Sequence, residues 1–130
     1  MKTEDGWLRL VEEVSRFDSP VQNTRRFASE RLRVAGVDLA PGSAVLLVLA
    51  SANRDPNANK NPDEFQLARA DARVFSFSRG AHACPGQQVA QWIASAALEQ
   101  LWAVRGRGWH RDLLRDYKPS ANGRLPHLRF

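Results

Sequence analysis

Trp7, Leu10, Val11 and Val14 stand at i, i+3, i+4 and i+7, the spacing of one helix face. Asp5 precedes that face in a capping position. Pro20 disfavours helical geometry at Ser19, so the helix is expected to end by there. From Thr24 to Leu39 the period shortens to two. Leu32 and Val34 alternate with Arg31 and Arg33, Val37 and Leu39 flank Asp38, and Gly36 and Pro41-Gly42 punctuate the stretch. This pattern predicts short strands joined by tight turns. Residues 43–52 are apolar apart from Ser43 and Ser51 and read as strand, helix, or one followed by the other. Residues 53–72 are loop-like, with Asp55-Pro56, Asn57, Asn59 and Asn61-Pro62-Asp63. A long irregular stretch in a compact chain usually has a reason. The strongest helix signal runs from Pro85 to Val104, where Val89, Ala90, Ile93, Ala96, Ala97 and Leu101 form a wide apolar stripe. Pro85 suits the first helical position. Beyond Gly106 and Gly108 the chain is polar and turn-rich.

Composition narrows the class. The chain has 130 residues, 43% hydrophobic and 25% charged, which fits one globular domain and excludes a disordered or fibrous protein. Its charge, 19 − 14 = +5, permits anionic partners without selecting one. The longest apolar run, Ala44 to Ala50, is far short of the roughly 20 residues a membrane-spanning helix needs. Thr3-Glu4-Asp5-Gly6 offers no apolar core for a secretory signal. Cys84 is the only cysteine, so an internal disulfide is impossible and a reducing, cytoplasmic setting is the expectation.

That cysteine sits in Phe77-Ser78-Arg79-Gly80-Ala81-His82-Ala83-Cys84-Pro85-Gly86, directly ahead of the strongest helix. Unpaired N–H groups and the positive dipole end at a helix N-terminus favour thiolate over thiol. Gly80 allows a sharp turn, and Gly86 lets a bulky group approach the backbone. A thiolate so presented is a soft anionic ligand suited to iron. A lone cysteine is nevertheless more often a small buried hydrophobe.

The segment resembles the heme-binding loop of the cytochrome P-450 superfamily, Phe-x-x-Gly-x-x-x-Cys-x-Gly, at Phe77, Gly80, Cys84 and Gly86, and His82 fits the bacterial form. Ser78 departs from the pattern, standing where a glycine is usual; it removes no ligand, and either a tighter bulge or an unusual backbone angle is expected there. Four further segments resemble the family in order: Glu13-Val14-Ser15-Arg16 its Glu-x-x-Arg helix, 18–26 the stretch that follows, Ala52-Asn53-Arg54-Asp55-Pro56 with 61–69 the approach to the meander, and 117–126 the end of some bacterial members.

The resemblance implies an α+β chain that is the C-terminal part of the mainly helical cytochrome P-450 fold. Its expected parts are a K helix region at 1–19, a β-rich region at 20–52, the meander at 53–76, the cysteine loop at 77–86, the L helix at 87–104 and C-terminal strands and turns at 105–130. It implies heme as cofactor, with Cys84 as thiolate ligand of the iron, favouring O–O cleavage. Phe77 would pack by the sulfur. His82 and Arg26 match positions that hold heme propionates, with Arg25 the neighbouring alternative for the latter. Glu13, Arg16 and Arg69 match a structural triad that locks the K helix to the meander. An exposed Glu12–Arg16 pair at i, i+4 is the alternative. Residues 21–24 match the chain that passes the substrate side of the heme.

With twelve residues ahead of Glu13, the family's oxygen-activating I helix is expected to be lacking, and Ala35-Gly36-Val37-Asp38-Leu39 reads as a turn rather than its motif. The apolar stripe after Cys84, with Trp92 and Trp102 nearby, is then expected to be partly uncovered, favouring self-association or pairing with a missing N-terminal portion. The function expected is that of a heme-thiolate monooxygenase portion, acting on a small organic substrate with electrons from a ferredoxin-like donor; Arg73 and Arg79 either meet that donor or are ordinary solvated surface arginines. The alternative is a truncated, non-catalytic remnant that binds heme or associates. Nucleic-acid binding through Trp102, Arg105, Arg107, Trp109, His110, Arg111 and Arg115 is disfavoured, because Asp112 and Asp116 interrupt the basic run.

Overall fold

The structure is a computed structural model that describes residues 4–106 and 114–128. The chain opens with helix α1 (Glu4–Phe17). A nested pair of hairpins follows: β1 (Thr24–Phe27) pairs antiparallel with β4 (Ala44–Leu47), enclosing the hairpin of β2 (Leu32–Val34) and β3 (Val37–Leu39). The β2–β3 turn is Ala35-Gly36 with φ of 48° and 83°. Both angles positive is the geometry whose twist matches a two-residue hairpin. The apolar run at 43–52 divides into β4 and then the short helix α2 (Leu49–Asn53), one of the readings its pattern allowed.

Residues 54–79 form turns, and a 3₁₀ turn (Gly80–His82) leads to the long helix α3 (Gln87–Arg105). An antiparallel hairpin, β5 (Leu114–Lys118) with β6 (Leu125–Leu128), closes the chain. It is stitched to the end of α1: the Gln22 amide donates to Asn122 O at 2.7 Å and the Arg124 amide to Pro20 O at 2.9 Å. Arg124 pairs with Asp18 at 2.7 Å, and Tyr117 donates its hydroxyl to the same carboxylate at 3.0 Å. No helix among the described residues is long and apolar enough to cross a membrane.

Helix boundaries correct two expectations. Asp5 lies inside the first turn of α1 instead of capping it. Pro85 precedes α3 by two residues, because Cys84 O accepts the Gln87 amide in a turn and Gly86 occupies the cap. Pro85 and Gly86 thus separate Cys84 from the helix. Four of the residues in the disfavoured nucleic-acid run, Arg107, Trp109, His110 and Arg111, lie outside the described residues. Trp102 packs on Trp7, ring centroids 6.1 Å apart.

Burial explains why α1 matters. Trp7 and Val11 are buried as the periodicity requires, but Val14 is exposed. The buried side toward the C-terminal end is instead Glu13, Ser15 and Arg16. Among the described residues, buried polar side chains outnumber buried apolar ones, and none of their nitrogen or oxygen atoms lacks a partner. A polar interior is stable only when fully hydrogen-bonded, and this one is. Conversely, α3 turns much of its apolar stripe outward: Ile93 is 66% exposed and Val104 77%.

Candidate functional site

Glu13 and Arg16 are one turn apart on α1, which places their side chains on the same face. Arg16 is fully buried, and its Nε and Nη2 donate to the two Glu13 oxygens at 2.8 Å each. The remaining Arg16 donors reach carbonyls of the irregular segment: Asn53 at 3.1 Å, Pro62 at 2.8 Å and Glu64 at 3.0 Å. Arg69 Nε approaches Glu13 at 3.2 Å, and its guanidinium also donates to the carbonyls of Lys60, Asn61 and Glu64. The Gln66 amide donates to Glu13 Oε1 at 2.8 Å. The partner of Arg16 is thus Glu13 rather than Glu12. Burial alone would raise the Glu13 carboxyl. Hydrogen bonds from Arg16 and the Gln66 amide, with the charges of Arg16 and Arg69, outweigh it and hold the group below the ordinary 4.5.

A helix end leaves four carbonyls without intrahelical partners, and in α1 each finds one. Val14 O accepts the Asp18 amide at 2.8 Å, Ser15 O the Ser76 hydroxyl at 2.5 Å, and Arg16 O the Ser19 hydroxyl at 3.4 Å. Phe17 O accepts two Arg54 donors, at 2.7 and 3.3 Å. The Arg54 guanidinium also stacks 3.8 Å over the Phe17 ring. Ser76 belongs to the segment that enters the cysteine loop, so the end of α1 is joined to the start of that loop.

The loop itself is held by its own backbone. Ser78 N donates to Phe75 O at 2.8 Å, Ala83 N to Gly80 O at 3.0 Å, and Cys84 N to Phe77 O at 2.8 Å. Two left-handed residues make the reversal possible: Ser78 at φ 56° and Gly80 at φ 63°. The cysteine is free and exposed. A Cβ added to Gly86 would lie 3.9 Å from Cys84 Sγ, ordinary contact distance. Phe77 is half-buried and His82 exposed. Arg26 is half-buried on β1, and its guanidinium donates to Thr24 Oγ1 at 2.9 Å and Arg25 O at 2.8 Å. The structure therefore brings Glu13, Arg16 and Arg69 together and ties Phe77 to Cys84. It gives Arg26 local partners away from the loop. A separate recess of about 500 Å3 is lined by Asn23, Thr24, Arg25, Ala121 and Asn122, where residues 21–24 meet the C-terminal hairpin.

Four further residues, none assigned a role by the resemblance, are structural. Asn53, Asn59, Ser19 and Ser76 are all buried and hydrogen-bonded. The sequence does hold one signal for Asn53: it is the polar residue that ends the helix closing an otherwise apolar run.

The family model described as Cytochrome P-450 matches residues 9–102. Biotin biosynthesis cytochrome P-450 of Bacillus subtilis (strain 168) is 42% identical over 91 residues, 70% of this chain and 23% of that protein. The 6-deoxyerythronolide B hydroxylase of Saccharopolyspora erythraea is 36% identical over 92 residues, 71% of this chain and 23% of that one. Among solved structures, P-450BioI in complex with an acyl carrier protein ligated to hexadec-9Z-enoic acid superposes with TM-score 0.86 at 35% identity. The match covers 96% of this chain and 32% of that one. The Bacillus subtilis 168 bacillaene polyketide synthase cytochrome, PksS, superposes with TM-score 0.82 at 27% identity, over 95% of this chain and 32% of that one. The chain spans about a quarter of the length of the curated relatives it matches.

Proposed function

Since the chain belongs to the cytochrome P-450 family, whose members bind heme iron, we propose that it is the proximal heme-binding portion of a heme-thiolate monooxygenase, with Cys84 as the iron ligand. The observation that carries this is the exposed Cys84 thiol on a loop whose backbone is pinned by the Cys84 N–Phe77 O bond.

The residues present fit the group. A soft sulfur donor faces outward. The helix that follows presents Val89 and Ile93, one turn apart and both exposed, as apolar surface. Phe77 would pack near the sulfur, and Gly80 and Gly86 keep the loop narrow around it. His82 and Arg26 supply donors suited to carboxylates, and would hold the propionates through charge-assisted hydrogen bonds. The Arg26 bonds to Thr24 and Arg25 both come from Nη1, which leaves Nε and Nη2 to meet a carboxylate. Bound heme iron supplies the redox chemistry of dioxygen reduction and substrate oxygenation.

The chain's own contribution is ligation and orientation. Glu13, Arg16 and Arg69 lock α1 to the turns at 60–69, and through α1 they steady the segment that leads to Cys84. The recess at Asn23 and Asn122 is the proposed contact with a small organic substrate. Arg73 and Arg79, exposed beside the loop, are the proposed meeting point for a ferredoxin-like electron donor. A second reading, action by association, is favoured by the exposed α3 stripe.

Heme titration of the 130-residue chain tests the first reading. The expected result is saturable binding at one heme per chain, weakened at least about tenfold in Cys84→Ala, which corresponds to about 1.4 kcal/mol. Equal binding by the two proteins would remove Cys84 from the account.

A further inference from the structure

We propose that Asn53 is the positioning residue for the Cys84 loop. The side chain is 0% exposed, and both of its donors and its carbonyl oxygen are engaged between α1 and the loop. Its Nδ2 donates to Ser19 Oγ at 2.6 Å and Ser76 Oγ at 2.9 Å, and its Oδ1 accepts the Phe75 amide at 2.6 Å. The Phe75 amide can only donate, which sets Oδ1 toward it, and the two serines agree. Each spends its single proton on an α1 carbonyl, Ser19 on Arg16 O and Ser76 on Ser15 O, so each can only accept from Asn53. The amide orientation follows from that, and it presents Oδ1 to Phe75.

The route from Asn53 to the thiol is short and backbone-borne. Phe75 N is held by Asn53, Phe75 O holds Ser78 N at 2.8 Å, and the intervening Phe77 O holds Cys84 N at 2.8 Å. At its other end Asn53 is fixed by the triad. Its carbonyl accepts Arg16 Nη1 at 3.1 Å and Asn59 Nδ2 at 3.3 Å. Asn53 is thus where the buried ion-pair network and the cysteine loop share one residue. An aspartate there would set a carboxylate against two committed hydroxyl lone pairs. An alanine would leave the Phe75 amide and both hydroxyls short of a partner in a buried site.

The functional part of this inference rests on the reading of Cys84 as heme ligand, while the structural part does not. Both are measured on the full chain as Asn53→Ala, with Val11→Ala as a control that weakens the α1 core away from the loop. Relative to the unaltered apo chain, hydrogen exchange in Asn53→Ala is expected to speed up about tenfold more at the Phe75 and Cys84 amides than in the middle of α3. Val11→Ala is expected to show no such contrast. In the heme-loaded, reduced and carbonylated proteins, Asn53→Ala is expected to lose part of its red-shifted thiolate band to a shorter-wavelength band, and Val11→Ala to keep it. Uniform exchange changes in both variants would overturn the positioning role. If Asn53→Ala does not fold, Ser76→Ala decides by the same contrast at Cys84, present or absent. If the unaltered chain shows no thiolate band, the heme reading falls, and the exchange comparison still decides the role of Asn53.

Discussion

Arg16 grips Glu13 with two parallel hydrogen bonds of 2.8 Å, and neither side chain is more than 3% exposed. A planar guanidinium matches a carboxylate in this way and an ammonium does not. The pair is buried, so its formation adds little net stability, but removing one partner strands the other. Arg16→Ala is expected to lower unfolding stability by about 3–5 kcal/mol, and Arg16→Lys to recover only a minor part. Urea midpoints of the three proteins check this. A loss under about 1 kcal/mol would mean the pair behaves as an exposed one.

Acid should find the same site. The folded Glu13 carboxyl titrates below its ordinary 4.5, so the unfolded chain binds the proton more readily. The stability this contributes is complete above 4.5 and is lost as pH falls through the lower folded value. Urea midpoints measured from pH 7 downward are expected to decline below about pH 4.5, and less steeply in Glu13→Gln. Identical slopes for the two proteins would remove Glu13 as the cause.

Ser78 and Gly80 make opposite predictions from similar backbone angles. Ser78 has φ 56° with a Cβ, a conformation that costs about 1–2 kcal/mol for most residues. Ser78→Gly is expected to raise the melting temperature, by a net of up to about 1 kcal/mol after the glycine's greater unfolded entropy. Gly80 has φ 63° and open space around its missing side chain. Gly80→Ala is expected to lower the melting temperature by strain alone. Calorimetry on the two variants should give shifts of opposite sign.

The exposed face of α3 predicts association. Ile93 contributes little to the interior at 66% exposure. Ile93→Lys is expected to leave the melting temperature within about 0.5 kcal/mol of the parent, as surface changes do. It is expected to reduce hydrophobic-dye binding and any self-association seen by sedimentation. Unchanged dye binding would place the sticky surface elsewhere.

The sequence carried the outline of the fold well and the reasons for it less well. Period-two and period-3.6 spacing foretold β2, β3 and α3, and the Phe77-to-Gly86 spacing marked the cysteine loop, because these signals are local. Val14 fits the α1 face by spacing yet is exposed, while Glu13 and Arg16 take the inside. Periodicity of apolar residues is blind to an interior built from hydrogen-bonded polar groups. Asn53 shows in the sequence only as a polar residue after an apolar run, because the partners that define its role, Ser19, Ser76 and Phe75, are 34, 23 and 22 residues away. Pro85 suits a helix start by residue type, yet the Cys84–Gln87 turn sets it two residues ahead of α3.

The central claim is that Cys84 offers a thiolate to heme iron. The most direct measurement is the absorption spectrum of the heme-loaded chain after reduction and addition of carbon monoxide. The account predicts a red-shifted Soret band characteristic of thiolate ligation, absent in Cys84→Ala. A heme-loaded chain without that band, or with the same band in Cys84→Ala, would contradict it.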